Sequence, residues 1–252
     1  MMQRYGTIVI VGGGCYGSYY VRQLQRAVDA DAIHYERLLV VDRDARCRVA
    51  TEQKDSSPSP SAKAPVPEVV ESEWTAFFDD YLGAATRGGA DSDAIVPSPL
   101  MPHLMYEWLL GRARTRWPGR LVETRPLDRE PSVPWQRRAA DGTHYVSFAE
   151  WMCPINCVEP PMCPVIRGPR SWSLPPAVRA YVAAERSRGR ELAGPVIFHC
   201  SHRAFGVGMF DTPDVVAADR LVAEAGAGGA AEVLVGTVSH CHGALNVLGI
   251  GA

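Results

Sequence analysis

The sequence predicts an α/β protein built on a doubly wound, mostly parallel sheet with a Cys-rich, partly β insert. Three observations carry this. Strand-like apolar runs at Ile8–Val11, Leu38–Val41, Ala94–Val96, Val196–Phe198 and Glu232–Val238 alternate with segments of helical periodicity. A Gly-rich turn joins the first run to the first helical segment. Residues 120–170 break the alternation with a hairpin pattern and a cluster of cysteines. A single domain over 1–252 is expected, holding a flexible loop at 55–67 and the Cys-rich insert at 120–170.

The first strand, Thr7-Ile8-Val9-Ile10-Val11, reads as buried and parallel, and Gly12-Gly13-Gly14-Cys15-Tyr16-Gly17 follows it. Gly12, Gly14 and Gly17 stand at G-x-G-x-x-G spacing. The first allows a tight turn, the second lets a pyrophosphate approach the backbone, and the third lets helix and strand pack closely. Ser18 to Ala27 forms the helix, with Tyr20, Val21 and Leu24 toward the sheet, and its N-terminus favours a phosphate's charge. Leu38 to Val41 ends in Asp42, where a ribose 2′-hydroxyl is usually held, and the neighbouring Arg43 would suit a 2′-phosphate.

Over roughly the first 45 residues the chain resembles the Rossmann-type NAD(P)-binding superfamily. The resemblance implies a Rossmann-like sheet and a cofactor, NAD with NADP as the alternative. Gly12, Gly13, Gly14, Cys15, Tyr16, Gly17, Asp42 and Arg43 would hold it. It implies no reaction.

Asp55 to Pro67 has no periodicity and few large apolar side chains, which predicts a mobile, dispensable surface loop. From Ser72 the pattern turns helical. Trp74, Phe77, Phe78, Tyr81 and Leu82 fall at i, i+3, i+4, i+7 and i+8, a core face, and the helix ends near Gly83. Ala94–Val96 follows as a third strand, with Pro97 and Ser98 at its carboxyl end beside the expected cofactor. His103 to Trp117 is another helix, and Arg112, Arg114 and Arg116 form a solvated cluster near its negative end. Trp135-Gln136-Arg137 and Tyr145–Phe148 flank Asp141-Gly142 as a hairpin. Helices start at Ser173 and at Thr212-Pro213, ending near Arg188 and Gly226. Val196–Phe198, Glu232–Val238 and an edge over Leu245–Ile250 extend the same sheet.

With 46% hydrophobic residues and a formal net charge of -2, the composition is that of a soluble globular protein. No basic excess points to nucleic acid, and no apolar run approaches the ~20 residues of a membrane span. The first strand lies so near Met1 that a signal peptide has no room. A cytoplasmic location follows as an expectation, with the cysteines mostly reduced.

Cys153, Cys157 and Cys163 stand in the pattern C-P-x2-C-x5-C-P, and the prolines stiffen the loop. Three thiolates held toward one point bind zinc or an iron–sulfur cluster, and the two Cys-Pro steps favour the cluster. His199-Cys200-Ser201-His202 and Ser239-His240-Cys241-His242 follow strands, at the carboxyl ends where open α/β sheets bind ligands. Cys200 and Cys241 join the candidate metal ligands. His202, His240 and His242 are candidate proton donors or acceptors, because imidazole titrates near neutral pH. Strand alternation would let His240 and His242 share a face that excludes Cys241. For either Cys200 or Cys241 alone, a small buried hydrophobe is the simpler account, and a disulfide is another outcome for the loop.

The expected function is an NAD(P)-dependent oxidoreductase with a Cys/His metal or iron–sulfur site at the sheet's carboxyl edge. It would act on a small-molecule substrate or redox partner, and a homodimer is allowed. The alternative is a non-catalytic NAD- and metal-binding redox sensor or regulatory module, favoured by the lack of a separate substrate domain. A methyltransferase fits less well, because the dinucleotide spacing continues through Gly17.

Overall fold

The computed structural model describes residues 2–55, 63–151, 153–154 and 157–252. They form an α/β protein with two compact units, Met1–Met101 with Ser201–Val216, and Pro102–Cys200 with Ala217–Ala252.

The first unit begins with β1 (Gln3–Val11), α1 (Cys15–Asp29), β2 (Ile33–Asp42), α2 (Arg48–Asp55), β3 (Glu68–Glu71), α3 (Trp74–Ala85) and β4 (Ala94–Val96). β1 pairs in parallel with β2 and β4, and β2 pairs in parallel with β3. Ile8, Ile10, Leu38 and Val40 are wholly buried, as continuous apolar runs in a parallel sheet should be. α1 buries Val21, Leu24, Ala27 and Val28, one stripe at helical spacing.

The second unit opens with α4 (Leu104–Arg116) and continues through β5 (Val122–Arg125), β6 (Trp135–Arg138), β7 (His144–Ser147), β8 (Met162–Cys163), β9 (Gly168–Pro169), α5 (Leu174–Ser187) and β10 (Leu192–His199). The chain then adds β11 (Ser201–Ala204) and β12 (Val207–Asp211) to the first sheet, whose order is β11-β12-β4-β1-β2-β3. β12 is antiparallel to β4. α6 (Thr212–Ala227) leads to β13 (Ala231–Val238) and β14 (His242–Ile250). The second sheet has the order β10-β13-β14-β7-β6, and β5 also pairs with β14. β10 and β13 are parallel; β14 is antiparallel to β13, β7 and β5. Leu174, Val178, Val182, Leu234, Leu245 and Val247 form part of the core under this sheet.

Several expectations change. β10 and β13 belong to the second sheet, not to the one carrying the glycine turn. A buried apolar run shows that a strand is covered on both faces, not which sheet receives it. Leu245–Ile250 is no edge: β14 lies between β13 and β7. Ala94–Val96 is the fourth strand, since the short, partly exposed β3 precedes it. On α3 only Phe78 and Leu82 are buried, with Trp74, Phe77 and Tyr81 half-buried.

The Arg cluster of α4 is partly tied down: Arg112 and Arg116 reach the buried Asp219 carboxylate at 3.3 Å and 2.9 Å. Residues 120–170 supply β5, β6 and β7 to the second sheet. Of the expected 55–67 loop, residues 56–62 lie outside the described residues. Beyond them, Gln53 Nε2 donates to the Pro67 carbonyl at 2.9 Å and Ala64 packs on the first unit's core.

Candidate functional site

The glycine turn sits between β1 and α1. Gly12 has φ +89°, a left-handed conformation that suits glycine. Its N–H donates to the Val41 carbonyl at 2.8 Å. The Gly13 N–H donates to Asp42 Oδ2 at 2.7 Å, and the Asp44 N–H donates to Asp42 Oδ1 at 2.9 Å. Asp42 thus ties the turn to the end of β2, and each of its oxygens keeps a lone pair.

The three glycines differ in what surrounds them. A Cβ on Gly17 would stand 1.9 Å from the Gly12 carbonyl oxygen, and one on Gly13 would stand 2.3 Å from Cys47 Sγ. A Cβ on Gly14 would meet nothing within 4 Å. Gly14 is the N-cap of α1, which has neither a side-chain cap nor an acid in its first turn. The leading N–H groups therefore present positive charge with no acid of the helix's own first turn on them; the carboxylates beside them are Asp42, on the Gly13 N–H, and Glu52, on the Ser18 hydroxyl. Cys15 and Arg43 are exposed, Tyr16 and Pro97 half-buried, and Ser98 buried, its Oγ accepting from the Leu100 N–H at 3.3 Å. The residues present fit a dinucleotide phosphate.

The second unit holds a sulfur and imidazole cluster at the β13–β14 turn. Ser147 and His242 are register partners on β7 and β14, which sets Ser147 Oγ 2.9 Å from His242 Nδ1. The same hydroxyl accepts from the Ala149 N–H at 2.9 Å and donates to the Ala149 carbonyl at 2.7 Å. A hydroxyl has one proton; with it on the Ala149 carbonyl, the shortest of these contacts, His242 Nδ1 is the donor to Ser147 and Nε2 carries a lone pair. His242 Nε2 lies 3.2 Å from Cys153 Sγ.

Glu159 binds the cysteine loop to the turn. Its backbone is left-handed, φ +48°, and its buried carboxylate accepts the His240 N–H at 3.0 Å and the Cys241 N–H at 3.2 Å. Its own N–H donates to Cys157 Sγ at 3.4 Å. Arg170 Nη2 donates to the Glu159 carbonyl at 3.0 Å and Nη1 to the Trp172 carbonyl at 3.2 Å. The Trp172 indole N–H donates to Cys241 Sγ at 3.2 Å. Ser173 Oγ pairs with His240 Nδ1 at 2.8 Å, and the His199 and His240 rings meet edge-on at 4.8 Å.

Burial pushes the Cys153 thiol up to about 12, with the nearby Cys157, Cys241 and Glu159 adding to the rise. The Trp151 indole N–H opposes it; that group is buried and, among the described residues, has no partner of normal hydrogen-bond geometry. Burial also raises Cys241 to about 11 and lowers the pKa of His240 and of His242. These sulfurs are thiols, and these imidazoles neutral, unless a cation joins them. Among the described residues no group of three or more His, Cys, Asp and Glu stands in metal-holding geometry.

The structure thus gathers Cys153, Cys157, Cys241 and His242. Cys241 falls in the turn before β14 begins, so strand alternation does not turn it away from His242. Cys163 is buried on β8, Cys200 follows β10 with its N–H on the Val238 carbonyl at 2.8 Å, and His202 lies on β11 in the first unit. No disulfide joins the cysteines. Ser147, Glu159, Trp172 and Ser173 escape sequence reasoning. Of these only Glu159 carries a signal, as the one acid between Cys153 and Cys163.

Residues 105–251 match the family model AF_1314_C, described as "Uncharacterized protein, C-terminal domain". The match takes in more than half of the chain, and the chain belongs to this family. It matches no curated protein and no solved structure. Among the described residues no helix is long and apolar enough to cross a membrane.

Proposed function

We propose that the first unit is a Rossmann-like module that binds NAD(H) on its glycine turn, and that the protein is an NAD(P)-dependent oxidoreductase. The observation that carries this is the contrast within one turn: Gly17 is closed by the Gly12 carbonyl while Gly14 faces open space at an uncapped helix N-terminus. A structural glycine turn needs the first feature and has no use for the second. The strand order β3-β2-β1-β4 also supports it, since a mononucleotide-binding half winds in that order.

The α1 amides take the pyrophosphate, and the free lone pairs of Asp42 take the ribose hydroxyls. The bound nicotinamide supplies the hydride chemistry. Arg43, exposed beside Asp42, is the group that would accept a 2′-phosphate.

A second reading, the non-catalytic redox sensor, is favoured by the imidazoles. His240 and His242 are both held by serine hydroxyls, which suits fixed ligands better than proton shuttles. The test is titration with NADH, followed by nicotinamide fluorescence, for the wild type and Gly14→Val. Binding is expected to disappear in the variant while its circular dichroism is unchanged. Equal affinity in both proteins would remove the assignment. Loss of nicotinamide absorbance on addition of carbonyl substrates would then separate enzyme from sensor.

A further inference from the structure

We propose that Cys153, Cys157, Cys241 and His242 form a closed, structural site for one thiophilic divalent cation of the zinc class. Three thiolates and one imidazole are a complete tetrahedral set for such an ion. The site does not depend on the dinucleotide assignment, and it lies wholly within the second unit.

The ligand atoms come with their supporting partners in place. Ser147 Oγ holds His242 through Nδ1, which leaves Nε2 as the ring nitrogen turned to the sulfurs, an outer-sphere arrangement common to metal-bound histidines. Each sulfur has an N–H beside it: Trp151 for Cys153, Glu159 for Cys157 and Trp172 for Cys241. A thiol sulfur is a weak acceptor, so three such donors are poorly used until the sulfurs become thiolates.

Distance favours a single ion over a cluster. With Zn–S of about 2.3 Å and Zn–N of about 2.0 Å, tetrahedral ligands stand about 3.5 Å apart. His242 Nε2 and Cys153 Sγ already lie 3.2 Å apart. Ligands to different irons of a cluster would diverge further. Uptake draws Cys157 and Cys241 onto the same ion and replaces three thiol protons, which leave to solvent; the imidazole stays neutral.

The test uses the full chain purified with a reductant. Elemental analysis is expected to find about one zinc per chain in the wild type and in Cys163→Ser, and almost none in Cys157→Ser or Cys241→Ser. Cobalt added to chelator-stripped protein is expected to give the intense visible bands of a tetrahedral thiolate site. Ser147→Ala is expected to keep the bands but weaken affinity 10–100-fold. The cobalt titration of wild-type protein stands even if a cysteine variant fails to fold. Iron with acid-labile sulfide, loss of zinc in Cys163→Ser, or no cobalt spectrum would each overturn the proposal.

Discussion

Gly14 and Gly17 are three residues apart and should answer substitution in opposite ways. A side chain at Gly14 enters open space and costs at most the about 1 kcal/mol that an N-cap is worth. At Gly17 a Cβ would collide with a backbone carbonyl, which cannot rotate away. Gly17→Ala is therefore expected to lose about 3 kcal/mol or more in urea unfolding, while Gly14→Val loses at most about 1 kcal/mol and no longer binds NADH. Similar midpoints for the two variants would show that the turn can widen. Asp42→Ala removes the acceptor for two backbone N–H groups and the ribose contacts together. Weaker binding of NAD than of NADP is the expected ratio change in isothermal titration; the reverse order would make Arg43 the discriminating residue.

α4 and α6 are joined by charge. The Asp219 side chain is 6% exposed, and Arg112 and Arg116 remain 35% and 27% exposed. Asp219→Ala leaves two guanidiniums that water still reaches, so its cost should fall at about 1–3 kcal/mol, below that of a fully buried pair. An unchanged urea midpoint would show that the pairing contributes nothing.

The β6–β7 hairpin carries a pH signal. His144 is buried on β7 with Nε2 2.9 Å from Gln136 Oε1, and burial lowers its pKa, with Arg138 assisting and Glu130 opposing. The neutral form belongs to the folded state. Its contribution is present above the ordinary histidine pKa and is lost as pH falls through and below that range. The wild-type Tm should fall from pH 7 to pH 5 more steeply than that of His144→Gln; parallel curves would exonerate this residue. Long periodic elements such as α1, α4, α5 and α6 were legible because their spacing is local. β3, β5, β8, β9, β11 and β12 were not. Each has five residues or fewer, too short to show a period; β3, β5 and β12 also pair with β2, β14 and β4 far along the chain. Cys153 and Cys157, the proposed cation ligands, were legible as a cysteine pattern. Cys163 belongs to the same pattern, but pairing of β8 with β9 gives it a different place.

The chain passes between the two units three times, and that makes a testable demand on folding. Residues 201–216 lie inside the family match at 105–251, yet they belong to the first unit. β12 pairs with β4 through Phe210–Ile95 and Asp211–Ala94, and the Thr212 N–H donates to the Asp93 carbonyl at 2.9 Å. Val207, Met209 and Phe210 are at most 1% exposed in that setting. Cutting between Met101 and Pro102 interrupts no helix or strand, since β4 ends at Val96 and α4 begins at Leu104. A fragment of residues 102–252 made alone would nevertheless carry β11 and β12 with no sheet to join. An unpaired strand edge and three uncovered apolar side chains favour association with other copies. That fragment is expected to aggregate or to elute as a large species on size exclusion. Co-production with residues 1–101 should instead give a soluble one-to-one complex, because β4 then supplies the missing edge. A monomeric 102–252 fragment with cooperative unfolding would show that β11 and β12 are dispensable to the second unit and contribute only to the first.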